Sequence, residues 1–289
     1  MKIKKAVIPA AGLGTRVLPI SKSIPKEMIP LVDKPAIQYI VEEAANSGIE
    51  DILIITNRGK GIIADHFDHN IELEQNLIAS GKMNYYNDVV KPINCANIHF
   101  IRQKETKGLG HAILTARAFI GKEPFAVMYG DDVITSEVPV LKQLIDVYNE
   151  YGKGVCGVKE VSTEAVMKYS SLNVKNLRDN VYSVSDMIEK PSIEQIISHF
   201  AILGRCVLPS DIFDILENTP VGANNELQLT DAMKILSNRD GMIAVDFIGK
   251  RYDIGNKMGI LKANCEIALT HPEVKKEFKE YLKALSKKL

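Results

Sequence analysis

Residues 6–30 read A-V-I-P-A-A-G-L-G-T-R-V-L-P-I-S-K-S-I-P-K-E-M-I-P, and the stretch changes character twice. Ala6, Val7 and Ile8 form a short apolar run, the pattern of a strand buried on both faces. The chain then breaks into Ala10-Ala11-Gly12-Leu13-Gly14-Thr15-Arg16. Small residues and glycines let the backbone take positive φ and approach a ligand closely, with N–H groups turned toward an anion. Arg16 and Lys26 can bring two positive charges to the same place. A strand, a small-residue loop and two cations make the layout of a phosphate cradle. A Walker A loop would need Gly-x4-Gly-Lys-Ser/Thr, which is absent, and a dinucleotide fingerprint would need glycine at position 17, which is Val17. On the residues alone, an ordinary strand-to-helix turn stays open as the alternative.

Outward from this stretch, strand-like and helix-like segments alternate. Residues 35–47 read as a helix, with Pro35 in its first turn, Ile37, Ile40, Val41, Ala44 and Ala45 at helical spacing, and Gly48 as the stop. Strands are expected at 51–55, 97–101 and 125–129, and helices at 62–67, 71–80 and 110–119. Alternation of this kind implies right-handed crossovers and a Rossmann-like α/β fold, a mainly parallel mixed sheet flanked by helices. Ligands then sit at the carboxyl ends of the strands, so loops 10–16, 102–111 and 130–133 can share one cleft.

Beyond residue 150 the pattern is less regular. Strands are expected at 154–158, 172–174, 181–188 and 201–208, and helices at 211–217 and 229–236. No Pro/Gly/Ser-rich linker separates the halves, so residues 1–150 and a smaller substrate-binding part, 151–268, are expected to form one continuous domain. Residues 269–289 read as a C-terminal helical extension. Val274, Phe278, Tyr281, Leu282 and Leu285 share one face, and six lysines occupy the rest. That face suits docking on its own domain or a subunit contact.

The chain has 289 residues, 46% of them hydrophobic, enough for a large core. Lys+Arg and Asp+Glu both number 36, a balance that disfavours nucleic acid and anionic membrane as partners. The four cysteines are scattered without a C-x-x-C, which suits a reduced, cytoplasmic protein. No apolar run approaches ~18 residues and no signal peptide is visible.

Gly130-Asp131-Asp132 follows an apolar strand, and carboxylates in such a place suit a hard divalent cation such as Mg²⁺. Neighbouring side chains on an extended segment diverge, so the two aspartates should do different work. Gln103 offers a donor and an acceptor and so can read a base edge, although on the residues alone 102–111 is a polar loop. Glu189-Lys190-Pro191 ends another strand, where on the residues alone a surface Glu-Lys pair is the commoner reading.

Gly12-Leu13-Gly14-Thr15-Arg16, followed by Pro25-Lys26-Glu27-Met28-Ile29-Pro30 and Asp33-Lys34-Pro35, resembles the signature of sugar-1-phosphate nucleotidylyltransferases. The longer match over residues 8–16 is similar to the bacterial UTP–glucose-1-phosphate uridylyltransferases, and the resemblance reaches to about Ala268. It implies transfer of a uridylyl group from UTP to glucose 1-phosphate with Mg²⁺ as cofactor, in a homo-oligomer, dimer or tetramer; the same chemistry with another sugar phosphate or dTTP, or a non-catalytic regulatory paralogue, are the alternatives. Carried over to this chain, Lys26, Arg16, Asp131 and Lys190 would be catalytic. Asp131 and Asp253, the latter in Arg251-Tyr252-Asp253-Ile254-Gly255, would hold the metal. Ala10, Ala11, Gly12, Gly14, Lys26, Gln103, Gly108 and Asp132 would bind the nucleotide, with Gln103 and Gly108 on uracil and Asp132 near the ribose. Glu189 would bind sugar hydroxyls and Lys190 the sugar phosphate.

Departures from the family pattern fall in the cradle, where Ile20-Ser21-Lys22-Ser23 replaces a more typical Ala-Thr-Lys-Ala, and on the sugar side. Tyr169-Ser170-Ser171 stands where the family usually has Tyr-Gly, and Ser170 adds bulk and restricts φ in the sugar pocket. Gly222-Ala223-Asn224-Asn225 replaces a glycine-rich run before Glu226-Leu227-Gln228-Leu229-Thr230-Asp231, a segment read as scaffold and helix start.

Overall fold

The structure, a computed structural model, describes residues 2–288; Met1 and Leu289, the outermost residues of the expected 1–268 and 269–289 regions, lie outside it. In chain order the first half comprises β1 (Lys5–Pro9), β2 (Pro30–Leu31), β3 (Lys34–Pro35), α1 (Ala36–Asn46), β4 (Asp51–Thr56), α2 (Gly61–Phe67), α3 (Ile71–Ala79), α4 (Met83–Val90), β5 (Asn97–Arg102), α5 (Leu109–Leu114), α6 (Arg117–Ile120), β6 (Phe125–Met128), β7 (Asp132–Thr135) and α7 (Val140–Tyr151). The second comprises β8 (Gly154–Glu160), α8 (Thr163–Val166), β9 (Ser170–Arg178), β10 (Val181–Glu189), β11 (Phe200–Leu208), α9 (Ile212–Asn218), α10 (Leu229–Asp240), β12 (Met242–Asp246), β13 (Lys250–Asp253), α11 (Lys257–Ala268) and α12 (Lys275–Ser286).

One nine-stranded sheet runs through both halves in the order β5-β4-β1-β6-β11-β8-β12-β10-β9. The parallel pairings expected from the alternation join β5, β4, β1 and β6. Beyond β6 the pairings are antiparallel except β12 with β8, so the sheet is mixed and its parallel part lies where strands and helices strictly alternate.

β1 explains the layering. Ala6, Val7 and Ile8 are fully buried, Ala6 and Ile8 in the core shared with α1 and α7, Val7 in the core shared with α5, α9 and α10. Burying a Val or Ile side chain contributes about 1.5–3 kcal/mol, which is why a central strand tolerates no polar residue here. α1 supplies Ile37, Ile40, Val41 and Ala44 to the first core and ends before Gly48, whose φ of 89° reverses the chain.

Some elements differ from the sequence reading. The helix expected over 110–119 splits into α5 and α6, and the Thr115 hydroxyl donates to the Ala112 carbonyl at the break (2.6 Å). β7 and β13 form a separate two-stranded ladder that places Asp253 opposite Asp132. β12, α4 and α7 were not anticipated. α12 contains no buried residue; Phe278 and Leu282 are half-buried and Tyr281 is exposed. Among the described residues no helix is long and apolar enough to cross a membrane.

A buried ion pair fixes the turn at the end of β6. Arg205 on β11 is fully buried and donates to Glu43 of α1 through Nε and Nη2, the latter at 2.6 Å. Its guanidinium also donates to the carbonyls of Gly204 and Asp132, each at 2.9 Å. A buried guanidinium is tolerable only when its donors are satisfied in this way. The backbone of Asp132 is therefore held from inside the core.

Candidate active site

The loop after β1 is held by residues from β4 onward. Ala10 N–H donates to the Ile55 carbonyl (2.8 Å), Lys60 Nζ donates to the Ala10 carbonyl (2.6 Å), and Asn57 Nδ2 donates to the Ala11 carbonyl (2.5 Å). In a trans peptide the N–H points opposite to the carbonyl, so the Ala11 and Gly12 N–H groups face away from these anchors. Lys60 is itself buried against Glu27, with contacts of 2.8 and 3.0 Å. Burial pulls the Lys60 ammonium below its ordinary value and pushes the Glu27 carboxyl up, each partly offset by the other. Gly14 sits at φ 68°, and its carbonyl accepts from Ser21 Oγ (2.8 Å), which closes the cradle.

Lys26 and Asp131 meet at the floor of the cleft, with Lys26 Nζ 2.5 Å from Asp131 Oδ2. Burial opposes both charges, but the pairing wins: Asp131, with Glu27, holds Lys26 above its ordinary value, and Lys26, with Arg16, holds Asp131 below its own. The exposed Arg16 guanidinium lies 3.9 Å from Asp131 and 3.9 Å from Asp253. Asp253 accepts from Tyr169 Oη through Oδ2 (2.8 Å) and from Gly255 N–H through Oδ1 (2.8 Å).

Gly255 marks the centre of this cluster. A β-carbon there would lie 2.7 Å from Arg16 Nη2, 2.8 Å from Asp253 Oδ1 and 2.9 Å from Asp131 Oδ2. The two carboxylate oxygens thus converge beside the Gly255 α-carbon, where any side chain would crowd them. Two carboxylates so placed fit a divalent cation of the kind that fills its remaining positions with water and substrate phosphate. No cluster of three His, Cys, Asp or Glu side chains able to hold a metal occurs among the described residues, so the set is incomplete without those further oxygens.

Three adjoining cavities meet here, and Tyr129 lines all three. The first, about 400 Å³, is bounded by Ala11, Gly12, Gly14, Lys26, Gln103, Gly108 and Asp131. Gln103 is 5% exposed; its Nε2 donates to the Gly108 carbonyl (3.2 Å) and lies 2.9 Å from His111 Nδ1, which must accept. Both amide hydrogens are thereby committed, and Oε1 is the atom left to accept from a ligand. Gly108, at φ 100°, lies against Glu226 and Leu227; a β-carbon would approach the Leu227 carbonyl to 2.6 Å.

The second cavity, about 1030 Å³, is lined by Arg16, Asp131, Lys190, Arg251 and Asp253. The third, about 80 Å³, is lined by Ser170, Glu189 and Thr230. Thr230 Oγ1 donates to Glu189 Oε2 (2.7 Å). Burial raises the Glu189 carboxyl above its ordinary value, and the Thr230 hydroxyl and Lys190 partly offset this. Thr230 belongs to the segment read as scaffold; its contact with Glu189 gives that segment a direct part in the cavity.

Other expectations land differently. Asp132 is 2% exposed, and its Oδ1 accepts from Arg251 Nε at 2.7 Å, so its carboxylate is committed to β13. Burial pushes it up to about 6 despite Arg251. Ser170 lies in strand β9, where φ is ordinary, and its hydroxyl accepts from Ile202 N–H (3.0 Å) while the residue forms cavity wall. The backbone restriction expected of serine therefore has no effect there. Asn224 and Asn225, standing where glycines are usual, take φ of 60° and 58°, the left-handed conformation asparagine tolerates better than most residues. Lys60, Asn57, His111 and Gly255 carried no local sequence signal that marks their roles; each acts through a partner distant in sequence or through the space it leaves.

Comparison with known proteins agrees over nearly the full length. The nucleotidyl transferase family profile matches residues 5–269. The chain is 53% identical to UTP–glucose-1-phosphate uridylyltransferase YngB of Bacillus subtilis, covering 99% of this chain and 97% of that one. It is 48% identical to UTP–glucose-1-phosphate uridylyltransferase 1 of Staphylococcus saprophyticus, covering 99% and 100%. Among solved structures, a UDP-glucose pyrophosphorylase complexed with UDP-glucose superposes with a TM-score of 0.86 at 44% identity, covering 93% of this chain and 100% of that one. A UTP-bound UGPase from Acinetobacter baumannii gives 0.90 at 38% identity, covering 97% and 98%.

Proposed function

The chain belongs to the nucleotidyl transferase family, and from that premise we propose that it is a UTP–glucose-1-phosphate uridylyltransferase, forming UDP-glucose and pyrophosphate. The observation that carries this reading is the cluster at Gly255. There Asp131 and Asp253 converge beside Arg16, and Asp131 lines both the cavity of Gln103 and that of Lys190.

In this reading residues 1–150 mainly bind the nucleotide and 151–268 the sugar phosphate. Gln103 Oε1 accepts the N3–H of uracil, and the Ala11 and Gly12 N–H groups face the nucleotide. Cytosine presents an acceptor at that ring position and is refused. Thymine presents the same N–H as uracil, so dTTP is the alternative this geometry admits. Glu189 accepts sugar hydroxyls and Lys190 pairs with the sugar phosphate. That phosphate has a second pKa of about 6, so near neutral pH it is mostly a dianion and attacks without a general base. The protein must then align it with the α-phosphorus and neutralise charge on the departing pyrophosphate. Lys26 and Arg16 supply fixed positive charge, and Asp131 and Asp253 would hold Mg²⁺. Bound there, the ion supplies charge neutralisation on the phosphates. Asp132 acts near the ribose by fixing the turn that presents Asp131.

The same reading places the protein in the cytoplasm, on the strength of its four free cysteines, as a homo-oligomer, dimer or tetramer, with α12 as a contact. Pyrophosphate release from UTP and glucose 1-phosphate, with and without EDTA, tests the activity. Release that requires both substrates and is abolished by EDTA is expected. Release with dTTP or galactose 1-phosphate in preference to these substrates would replace this assignment, and a sugar panel on Ser170→Gly shows what that wall contributes.

A further inference from the structure

Tyr169 joins the two sides of the site, and the chemistry above assigns it nothing. Its backbone carbonyl accepts the N–H of Lys190 (2.8 Å). Lys190 is held at φ 44°, a left-handed conformation that a lysine adopts only when its surroundings impose it. The Tyr169 hydroxyl donates to Asp253 Oδ2 (2.8 Å). Its ring lies beneath the Arg251 guanidinium, 4.6 Å from the ring centre, and Arg251 in turn binds Asp132. Asp132, Arg251, Tyr169 and Asp253 thus form a run of side-chain contacts whose two ends are opposite each other in the β13–β7 ladder.

We propose that Tyr169 is a positioning residue that sets the distance between the Lys190 backbone and the Asp253 carboxylate, with Arg251 as its support. The inference rests on the function proposed above. Lys190 belongs to the side that holds the attacking phosphate, and Asp253 to the side that holds the phosphate under attack. Productive attack requires reacting atoms about 3–3.5 Å apart, so the two sides must not drift. Tyr169 is bonded to one side by its main chain and to the other by its hydroxyl, with only a planar ring between them. Two torsions govern that ring, and Arg251 stacks on it, so the link is stiff.

The test is Tyr169→Phe in the full-length protein. It keeps the ring under Arg251 and the bond to Lys190 and removes only the hydroxyl. Mn²⁺ binding to the UDP-glucose-saturated protein is read from the electron paramagnetic resonance signal of free Mn²⁺, beside kcat and KM. Loss of an outer hydrogen bond to a metal ligand typically costs 10–100-fold in metal affinity, and a loss of at least ~10-fold is expected here. kcat should fall with it, while KM for glucose 1-phosphate stays within about 2-fold, since Lys190 keeps its backbone partner. Tyr169→Leu, which also frees Arg251, should lose at least as much Mn²⁺ affinity. Mn²⁺ affinity unchanged in Tyr169→Phe overturns the inference whatever happens to kcat. Failure of the wild type to bind Mn²⁺ or release pyrophosphate overturns the functional reading, and this inference with it.

Discussion

The ammonium of Lys26 is paired with the carboxylate of Asp131 across 105 residues of chain. Each is largely buried, and each stabilises the other's charge against burial. Ordered beside the triphosphate, Lys26 is a preformed cation that needs no reorganisation during transfer. Lys26→Ala should lower kcat by about 10²–10³ while the far-ultraviolet circular dichroism stays that of the wild type. Near-normal turnover in the purified variant would remove Lys26 from the catalytic set.

Gly255→Ala tests the convergence of the carboxylates. The position has no positive φ, so alanine is permitted by the backbone, and the cost falls on the site. The added methyl would crowd Arg16, Asp131 and Asp253. Activity should drop by about 100-fold or more, because misplacement near 1 Å can cost that much. The melting temperature should move by no more than a few degrees, about 1 kcal/mol in a chain this size. Full activity would show that the space is not used.

Glu189 gives a pH signature. Its carboxyl is raised by burial, and the Thr230 hydroxyl lowers it again. Only the carboxylate accepts hydroxyl hydrogens freely, so KM for glucose 1-phosphate should rise as pH falls through this elevated value, above the ordinary 4.5. In Thr230→Val the carboxylate loses its donor, its pKa rises further, and the acid limb must move to higher pH. A limb that stays in place would mean that a different group controls it.

Lys60 and Glu27 form a buried pair that also anchors the Ala10 carbonyl. Lys60→Met strands the Glu27 carboxylate, and breaking one partner of a buried pair costs about 3–5 kcal/mol. Glu27, already raised by burial, should rise further without Lys60. The folded variant then binds a proton more readily than the unfolded chain, so its stability increases as pH falls through that value and is lost as pH rises. Denaturant unfolding of Lys60→Met across pH, beside the Glu27→Gln/Lys60→Met double variant, checks both claims. The double variant should recover part of the loss and show little of the pH dependence.

Much of the fold was legible in the sequence because its signals are local. The Ala6-Val7-Ile8 run, the helical spacing from Ile37 to Ala44 and the glycine stop at Gly48 each specify their own element. The strict alternation to Met128 fixed the parallel half of the sheet, and the loops it places at strand ends do meet in one cleft. The motif residues Lys26, Asp131, Gln103, Glu189 and Lys190 were named from residue type and resemblance.

What the sequence could not determine were contacts between residues far apart in the chain. Lys60 reaches Ala10 across 50 positions, and Arg205 reaches Glu43 across 162. Whether a carboxylate such as Asp132 faces ligand or a neighbouring arginine depends on β13 pairing with β7, which no local pattern encodes. The chemistry of the site was thus written in residue types along the chain. The geometry that lets Tyr169 bridge Lys190 and Asp253 arises only when the strands pack, because tertiary register sets which side chains share a face and at what distance.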